Sequence, residues 1–392
     1  MSKNIAFLIP SMRNGGAERV LSNMSINLDD NLNQSIIVWD GKDVDYPFKG
    51  QLIDLDIHNS DNIIGNINVL LKRVKNVKRY KKENNIDTTI SFLEGPNIVN
   101  IFSRSKDKVI VSVHNFQSKE RQGIYGKIFK FLIKNFYNRA DYVVAVSEQI
   151  KQDLVEKFKL KEDKVKVIYN PFDIEKIQDL MKEDLEAEYK HIFDNPVIIN
   201  AGRLTNQKGQ WHLIKSFSKV KERIPNAKLV ILGKGELEND LKKLTKDLNI
   251  DKDVHFLGFQ KNPFKFIHRA DVFALTSLFE GFPMCLAESM VCETPIISVD
   301  CKSGPREMLY ENTDIMLCSK DIEYADYGIL SCPFDDEMNL DTYICDEEKL
   351  FAKGIVDLLN DENLKSNYIE KSKDRVKAFN VTNILKQWED IM

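Results

Sequence analysis

Short β-branched runs recur along this chain, separated by amphipathic stretches, and that alternation constrains the fold more than any other feature. In the first half it predicts strands at Ile5–Ile9, Ser35–Trp39, Thr88–Phe92, Val109–Val113, Tyr142–Val146 and Val165–Ile168. Several are continuously apolar, as strands are when a parallel sheet is covered on both faces. Between them, Glu18–Leu28, Val69–Glu83 and Lys127–Tyr137 read as helices. The rhythm breaks near Asn170-Pro171, where a charged, helix-prone segment runs to Phe193. It restarts at Pro196-Val197-Ile198-Ile199 and continues through Lys228–Leu232, Val254–Leu257, Val272–Leu275, Pro295–Val299 and Ile329–Cys332. Helices are expected at Trp211–Arg223 and Leu237–Leu248.

Two successive series of this kind imply an α/β protein with two Rossmann-like, doubly wound domains facing a central cleft. The expected limits are residues 1–171 and 172–377, with 378–392 a C-terminal helix returning to the first domain. A length of 392 residues suits two domains. Residues Ser319 to Glu348 read as an acidic, irregular surface insertion, and Glu347 to Met392 as consecutive helices. Ligands of such sheets lie beyond the carboxyl ends of the strands, so the loops there are where chemistry is sought.

Charge is unevenly spread. Residues 1–170 carry 27 basic and 20 acidic side chains, a surplus of about +7, and the remainder is about −11. The basic excess lies between Leu71 and Arg139. It includes Lys72, Arg73, Lys75, Lys78, Arg79, Lys81 and Lys82 on one expected helix, and Lys127, Lys130 and Lys134 interleaved with Ile128, Phe129, Phe131, Leu132 and Phe136 on another. Such segments suit an anionic membrane interface, or lie on the sheet with their lysines in water. Nucleic acid is excluded as a partner, since no recognition motif or aromatic platform accompanies the charge. No apolar run is long enough to span a bilayer, and the first strand is too short for a signal peptide, so a cytoplasmic, at most peripheral, protein is expected. The six cysteines form no Cys-x-x-Cys pair, so buried reduced thiols are expected.

Five segments could carry chemistry. Ser11 to Arg19 places Gly15-Gly16 between a strand and a helix, where the backbone can approach a ligand and free N–H groups face an anion. Gly202-Arg203-Leu204-Thr205-Asn206-Gln207-Lys208-Gly209 puts a guanidinium and an ammonium on one loop, a pair able to clamp a diphosphate and stabilise it as it leaves. Gly233-Lys234-Gly235 lacks the third glycine of a dinucleotide fingerprint, and a nicotinamide reading is rejected. In Ser277 to Glu288, Glu280 precedes a helix expected to begin at Pro283, while Glu288 lies inside it. Gly281 and Phe282 would offer backbone N–H groups there. Lys302 to Glu307 reads as another strand-to-helix turn, capped by Ser303 or Gly304. His114 follows a strand at the same edge of the first sheet.

Together these segments resemble the retaining glycosyltransferases of family 4, with the two-domain architecture called GT-B. The likeness rests on Gly-Gly-Ala-Glu-Arg at 15–19, Gly-Arg-Leu-x-x-x-Lys-Gly at 202–209 and the Glu-x7-Glu spacing of Glu280 and Glu288. The resemblance implies a nucleotide-diphosphate sugar donor, UDP by family habit, and a glycan or polyprenyl-diphosphate-linked glycan acceptor. It implies no cofactor and no divalent metal. Arg203 and Lys208 would bind the diphosphate, with Gly202 in the same loop. Glu288 would hold the ribose, and Glu280 would sit at the transferred sugar. His114 would contact that sugar, and Gly16 would let a loop approach the phosphates. Gly258 and Phe259 would border the base. A sugar-nucleotide epimerase of the same fold, or a non-catalytic nucleotide-sugar-binding partner protein, are the alternative readings.

Overall fold

The computed structural model describes every residue except Met1, Ser2, Asn14, Asp61 and Lys119–Gln122, and the side chains of Ile63, Ile124 and Tyr125. Asn14, part of the first glycine segment, and the side chain of Tyr125, at the start of the second basic segment, therefore fall outside what is described. The chain forms two compact units, 1–172 with 380–392, and 173–379.

The first unit holds β1 (Lys3–Leu8), α1 (Gly16–Asn27), β2 (Leu32–Val38), β3 (Gln51–Asp54), α2 (Ile63–Glu83), β4 (Thr88–Phe92), α3 (Glu94–Phe102), β5 (Lys108–Val113), α4 (Gly123–Phe136), β6 (Tyr142–Ala145), α5 (Glu148–Glu156) and β7 (Val165–Val167). The strands lie in the order β3-β2-β1-β4-β5-β6-β7 and are all parallel. Ile5 of β1 is flanked by Gln34 on one side and Thr88 on the other. Ala6, Leu8, Ile37 and Trp39 pack with Val77 of α2 and Val99 of α3. The C-terminal helix, Val381–Ile391, belongs to this unit. Its Trp388 ring lies 6.4 Å from Phe92, and the Thr88 hydroxyl donates to the Met392 carbonyl at 3.0 Å.

The second unit contains α6 (Ile174–Leu180), α7 (Ala187–Lys190), β8 (Val197–Ala201), α8 (Gln210–Arg223), β9 (Lys228–Leu232), α9 (Glu238–Asp247), β10 (Val254–Gly258), α10 (Phe264–Ile267), β11 (Val272–Leu275), α11 (Met284–Val291), β12 (Ile296–Val299), α12 (Pro305–Leu309), β13 (Glu323–Tyr324), β14 (Ile329–Ser331), α13 (Asp346–Asn360) and α14 (Glu362–Arg375). Its sheet runs β10-β9-β8-β11-β12-β14-β13, parallel except for β13 against β14. Trp211 and Phe217 of α8, Phe351 of α13 and Tyr368 of α14 bury against Ile198, Leu229, Ile231, Ala274 and Ile297 of the strands.

Four local differences from the sequence reading have physical causes. Gln51–Asp54 is an edge strand whose Gln-Leu-Ile-Asp sequence has only two apolar residues, so it carries no β-branched run to announce it. Helix α2 starts six residues before Val69, because the Asn62 side chain accepts from the Gly65 N–H and caps it. Pro283 is the N-cap of α11, with ψ 94°, so the helix begins at Met284. The acidic 319–348 segment is less irregular than an insertion: beside the expected strand at Ile329–Ser331, Glu323–Tyr324 adds an antiparallel edge strand, and Phe334 stacks on His212 at 4.2 Å.

Candidate functional site

At the carboxyl edge of the second sheet, successive loops are stitched together by backbone hydrogen bonds. After β8, Gly202 N–H donates to Leu232 O at 2.9 Å and Leu204 N–H to Lys234 O at 3.0 Å. After β9, Gly233 N–H donates to Gly258 O at 2.8 Å. The glycines of Gly233-Lys234-Gly235 have a packing role: a Cβ at Gly233 (φ 134°) would lie 1.9 Å from Gly202 O, and one at Gly235 2.2 Å from Leu204 O.

The loop carrying Arg203 and Lys208 ends in a single 3₁₀ turn, Asn206–Lys208, and the left-handed Gly209. Gly209 abuts the end of β11, where a Cβ would sit 2.4 Å from Thr276 O. Further bonds fix the loop against the same strand end. Leu278 N–H donates to Gln207 O at 2.8 Å, the Gln207 side-chain amide to Phe279 O at 3.0 Å, and the Thr276 hydroxyl to Lys208 O at 3.1 Å. The Gln210 side-chain amide donates to Arg203 O at 3.0 Å. Lys208 thus has its stem over Gly202 and its Nζ 2.6 Å from Glu280 Oε1.

Glu280 is held from the other side. Its N–H donates to Lys302 O at 2.6 Å, and Ser303 N–H donates back to Glu280 O at 3.0 Å. The Ser303 hydroxyl donates to Gly281 O at 2.8 Å. Gly304, at φ 100°, lets this splint approach, since a Cβ there would lie 2.5 Å from Pro283 Cδ. The sequence placed Ser303 and Gly304 only as helix-cap candidates. Their grip on the Glu280 loop is a long-range contact, which a lone Ser-Gly-Pro run does not signal.

The electrostatics follow from this packing. Glu280 and Glu288 are buried, at 6% and 4% exposure. Burial alone would lower the Lys208 pKa, but the Glu280 carboxylate outweighs it and holds the ammonium charged, with Arg203 nearby opposing. Arg203 is exposed and has no ion-pair partner among the described residues. The Cys285 thiol is pushed up to about 12 by burial, further raised by Glu280 and Glu288 and eased by Lys208. It is a neutral filler between these charges and no nucleophile. The structure therefore brings Arg203, Lys208, Glu280 and Glu288 to one edge, as two cations and two carboxylates.

The remaining residues are placed less tightly. Phe259 is 48% exposed beside Gly258, which takes φ 67°. Gly281 is buried, and the Phe282 side chain packs edge-on against Phe379 at 5.3 Å. In the first unit, Gly16 opens α1 with no atom within 4 Å of a Cβ built on it, whereas a Cβ on Gly15 would meet Glu18 Oε2 at 2.0 Å. The α1 N-terminus is thus partly covered by its own carboxylate. His114 follows β5; its Nε2 is 3.0 Å from the Ser112 hydroxyl and its ring 5.5 Å from Phe92. Burial lowers its pKa to about 4, so it is neutral at physiological pH. No group of three or more His, Cys, Asp or Glu side chains among the described residues could hold a metal ion.

Residues 14–176 match the family model for glycosyltransferase family 4, and residues 181–326 that for glycosyl transferases group 1. A glycosyltransferase of Methanocaldococcus jannaschii is 37% identical over 82% of each chain. The N-acetylgalactosamine-N,N'-diacetylbacillosaminyl-diphospho-undecaprenol 4-alpha-N-acetylgalactosaminyltransferase of Campylobacter jejuni is 29% identical over 98% of each chain. A crystal structure of Anabaena HepE with UDP-glucose superposes with a TM-score of 0.75 at 19% identity, covering 99% of this chain and 98% of that one. The chain belongs to glycosyltransferase family 4 and has the GT-B fold.

Proposed function

We propose that the chain is a retaining transferase that moves a hexose or N-acetylhexosamine from a UDP-sugar to a hydroxyl of a polyprenyl-diphosphate-linked glycan. The observation that carries this reading is the buried Lys208–Glu280 pair with the exposed guanidinium of Arg203 beside it. A fixed ammonium beside a free guanidinium suits a diphosphate in the ground state and still more as charge builds on its bridging oxygen. Support for the acceptor class comes from the Campylobacter relative, whose name specifies a diphospho-undecaprenol-linked glycan and an alpha linkage. Support for UDP comes from the HepE complex, at the level of a shared fold.

In this reading the C1–O bond to the diphosphate breaks as the acceptor hydroxyl attacks C1 from the same face. The acceptor proton passes to a departing phosphate oxygen. Arg203 and Lys208 offset the charge of the leaving group, and Glu280 stabilises positive charge on the sugar. Glu288 accepts hydrogen bonds from the ribose, and backbone N–H groups at Gly281 and Phe282 orient sugar hydroxyls. Phe259 and Gly258 border the base. Neutral His114 offers one ring nitrogen to a sugar hydroxyl, and Gly16 leaves room for a phosphate-bearing ligand.

Incubation with a panel of UDP-, GDP-, ADP- and CMP-sugars and a short-chain polyprenyl-diphosphate glycan tests this by mass spectrometry of the lipid product. We expect one added sugar, α-configured by NMR, from one UDP donor. An acceptor-independent isomerised nucleotide sugar would establish the epimerase instead. A glycosyl adduct trapped on Glu280 would overturn the front-face mechanism.

A further inference from the structure

A second buried cation lies beside the Glu280 loop, and the proposed reaction does not use it. Arg306 of α12 and Asp300, the residue after β12, are 3% and 5% exposed. Arg306 Nε and Nη2 donate to Asp300 Oδ2 at 2.9 and 2.6 Å. Nη2 also donates to Ser319 Oγ and to Glu323 Oε2, each at 2.9 Å. The Ser319 N–H donates to the same Asp300 oxygen at 2.7 Å. Glu323 Oε2 accepts from the Tyr310 hydroxyl at 3.0 Å as well, and the Tyr310 ring centroid lies 5.3 Å from the guanidinium carbon. Burial works against the Arg306 charge, but Asp300 and Glu323 outweigh it and hold its pKa above the ordinary value.

Position and geometry set this cluster apart from an ion pair that only holds a fold together. Through their side chains, Asp300 and Arg306 close residues 300–306 into a short ring of chain. The arc of that ring, Lys302 and Ser303, exchanges backbone bonds with Glu280, and Lys302 forms a parallel bridge with Phe279. The arc and the Glu280 loop therefore hold one another. Asp300 ties the arc to the sheet, since its N–H donates to Ser331 O at 2.8 Å at the end of β14, and Arg306 ties it to α12. The Nε and Nη2 groups converge as a planar fork on one carboxylate oxygen while Nη2 reaches the 319–323 segment. A lysine could supply the charge there but not the fork.

We propose that Arg306 is a positioning residue: by fixing the Lys302–Ser303 arc through Asp300, it sets where the Glu280 carboxylate lies relative to Lys208. That this placement matters for transfer rests on the reading that Glu280 faces the sugar. Lys208 reports the placement directly. The titratable groups around its ammonium are Glu280, Cys285, Arg203 and Cys301, and Glu280 does most to keep it charged against burial. If Glu280 moves away, burial wins and Lys208 loses its proton at lower pH.

The test compares the wild type with Arg306→Lys and with the milder Ser319→Ala. The control is Asp253→Asn, which breaks the Lys221 and Lys228 pairs just before β10, at the opposite edge of the same sheet. Chemical melts show that each protein is folded. Titration of the Lys208 ε-carbon by NMR, with the resonance identified by its loss in Lys208→Arg, needs no substrate. UDP binding is measured by calorimetry, and turnover with the donor and acceptor of the product assay. The expected result is a Lys208 titration moved to lower pH in Arg306→Lys and, by less, in Ser319→Ala, with UDP affinity retained. Turnover in Arg306→Lys should fall by roughly 10- to 100-fold at unchanged donor KM, the scale of a small misplacement of a group at the reacting centre. Asp253→Asn should change none of these. A folded Arg306→Lys with the wild-type Lys208 titration would overturn the proposal, as would equal changes in Asp253→Asn. If Arg306→Lys does not fold, Ser319→Ala decides by the same readings. A lowered titration with turnover untouched would uphold the placement of Glu280 by Arg306 and sink the reading of Glu280 at the sugar.

Discussion

The two units share one strand plan and use it differently. In both, a central strand is flanked by its successors on either side, and the loops after the strands gather at one edge. In the second unit those loops are cross-linked: Gly202, Gly233 and Gly258 meet through backbone bonds, and the Lys208 and Glu280 loops are splinted by Thr276, Gln207 and Ser303. The first unit has an open Gly16, a neutral His114 and apolar side chains in solvent on α2 and α4. A rigid, pre-paired edge suits a donor whose diphosphate is chemically constant. On the proposed function, an open edge suits acceptors, which vary. The same fold thus separates preorganisation from access.

The largest effects should come from the pre-paired edge. Lys208→Ala leaves Glu280 buried without its partner, so we expect about 3–5 kcal/mol of destabilisation in chemical melts. Turnover should also fall by roughly 10²–10³-fold, the usual effect of removing one fixed group that stabilises developing charge. Arg203→Ala should weaken donor binding by about 1.5–3 kcal/mol in titration calorimetry while the melting temperature stays put, because that side chain is exposed. Equal destabilisation by both variants would mean that the contrast between a structural and a free cation is wrong.

Glycines compare the units directly. Gly233→Ala should cost about 3 kcal/mol, since φ 134° and a carbonyl 1.9 Å from the new Cβ both oppose it. Gly16→Ala meets nothing and should be neutral or gain up to about 1 kcal/mol. Lower transfer activity in a Gly16→Ala protein of unchanged stability would show that a ligand passes there. Unchanged activity would remove Gly16 from the site.

The smallest effect at neutral pH concerns His114. The folded side chain titrates near 4 and a free one near 6.5, so between those values the unfolded chain binds more protons. Stability from this group is fully present above about 6.5 and is lost as pH falls toward 4. His114→Gln should flatten melts across that window and leave those at neutral pH almost unchanged in slope.

The sheets were legible because buried parallel strands need continuous β-branched runs, and those cannot be hidden in a sequence. The Arg203–Lys208 loop and Glu280 with Glu288 stood out only through the family resemblance, because by themselves a charged turn and glutamates near a helix start read equally as solvated or capping groups; the fold does gather the four at one edge. Lys81 was not, because its partner Asp107 lies across the fold and nothing local marks a lysine as buried. The role of Gly233 was equally hidden: its contact is a carbonyl more than thirty residues away in sequence, although its neighbours look like half of a nucleotide fingerprint.

The central claim, that the second unit holds a nucleoside-diphosphate sugar on Arg203 and Lys208, is tested most directly by thermal shift with UDP-, GDP-, ADP- and CMP-sugars. At about 100 times its dissociation constant the true donor should stabilise the wild type by about 2.7 kcal/mol. The account predicts a shift with the UDP class that vanishes in Arg203→Ala, a variant whose own melting temperature is unchanged. A shift of full size in that variant, or none with any nucleotide sugar in the wild type, would contradict it.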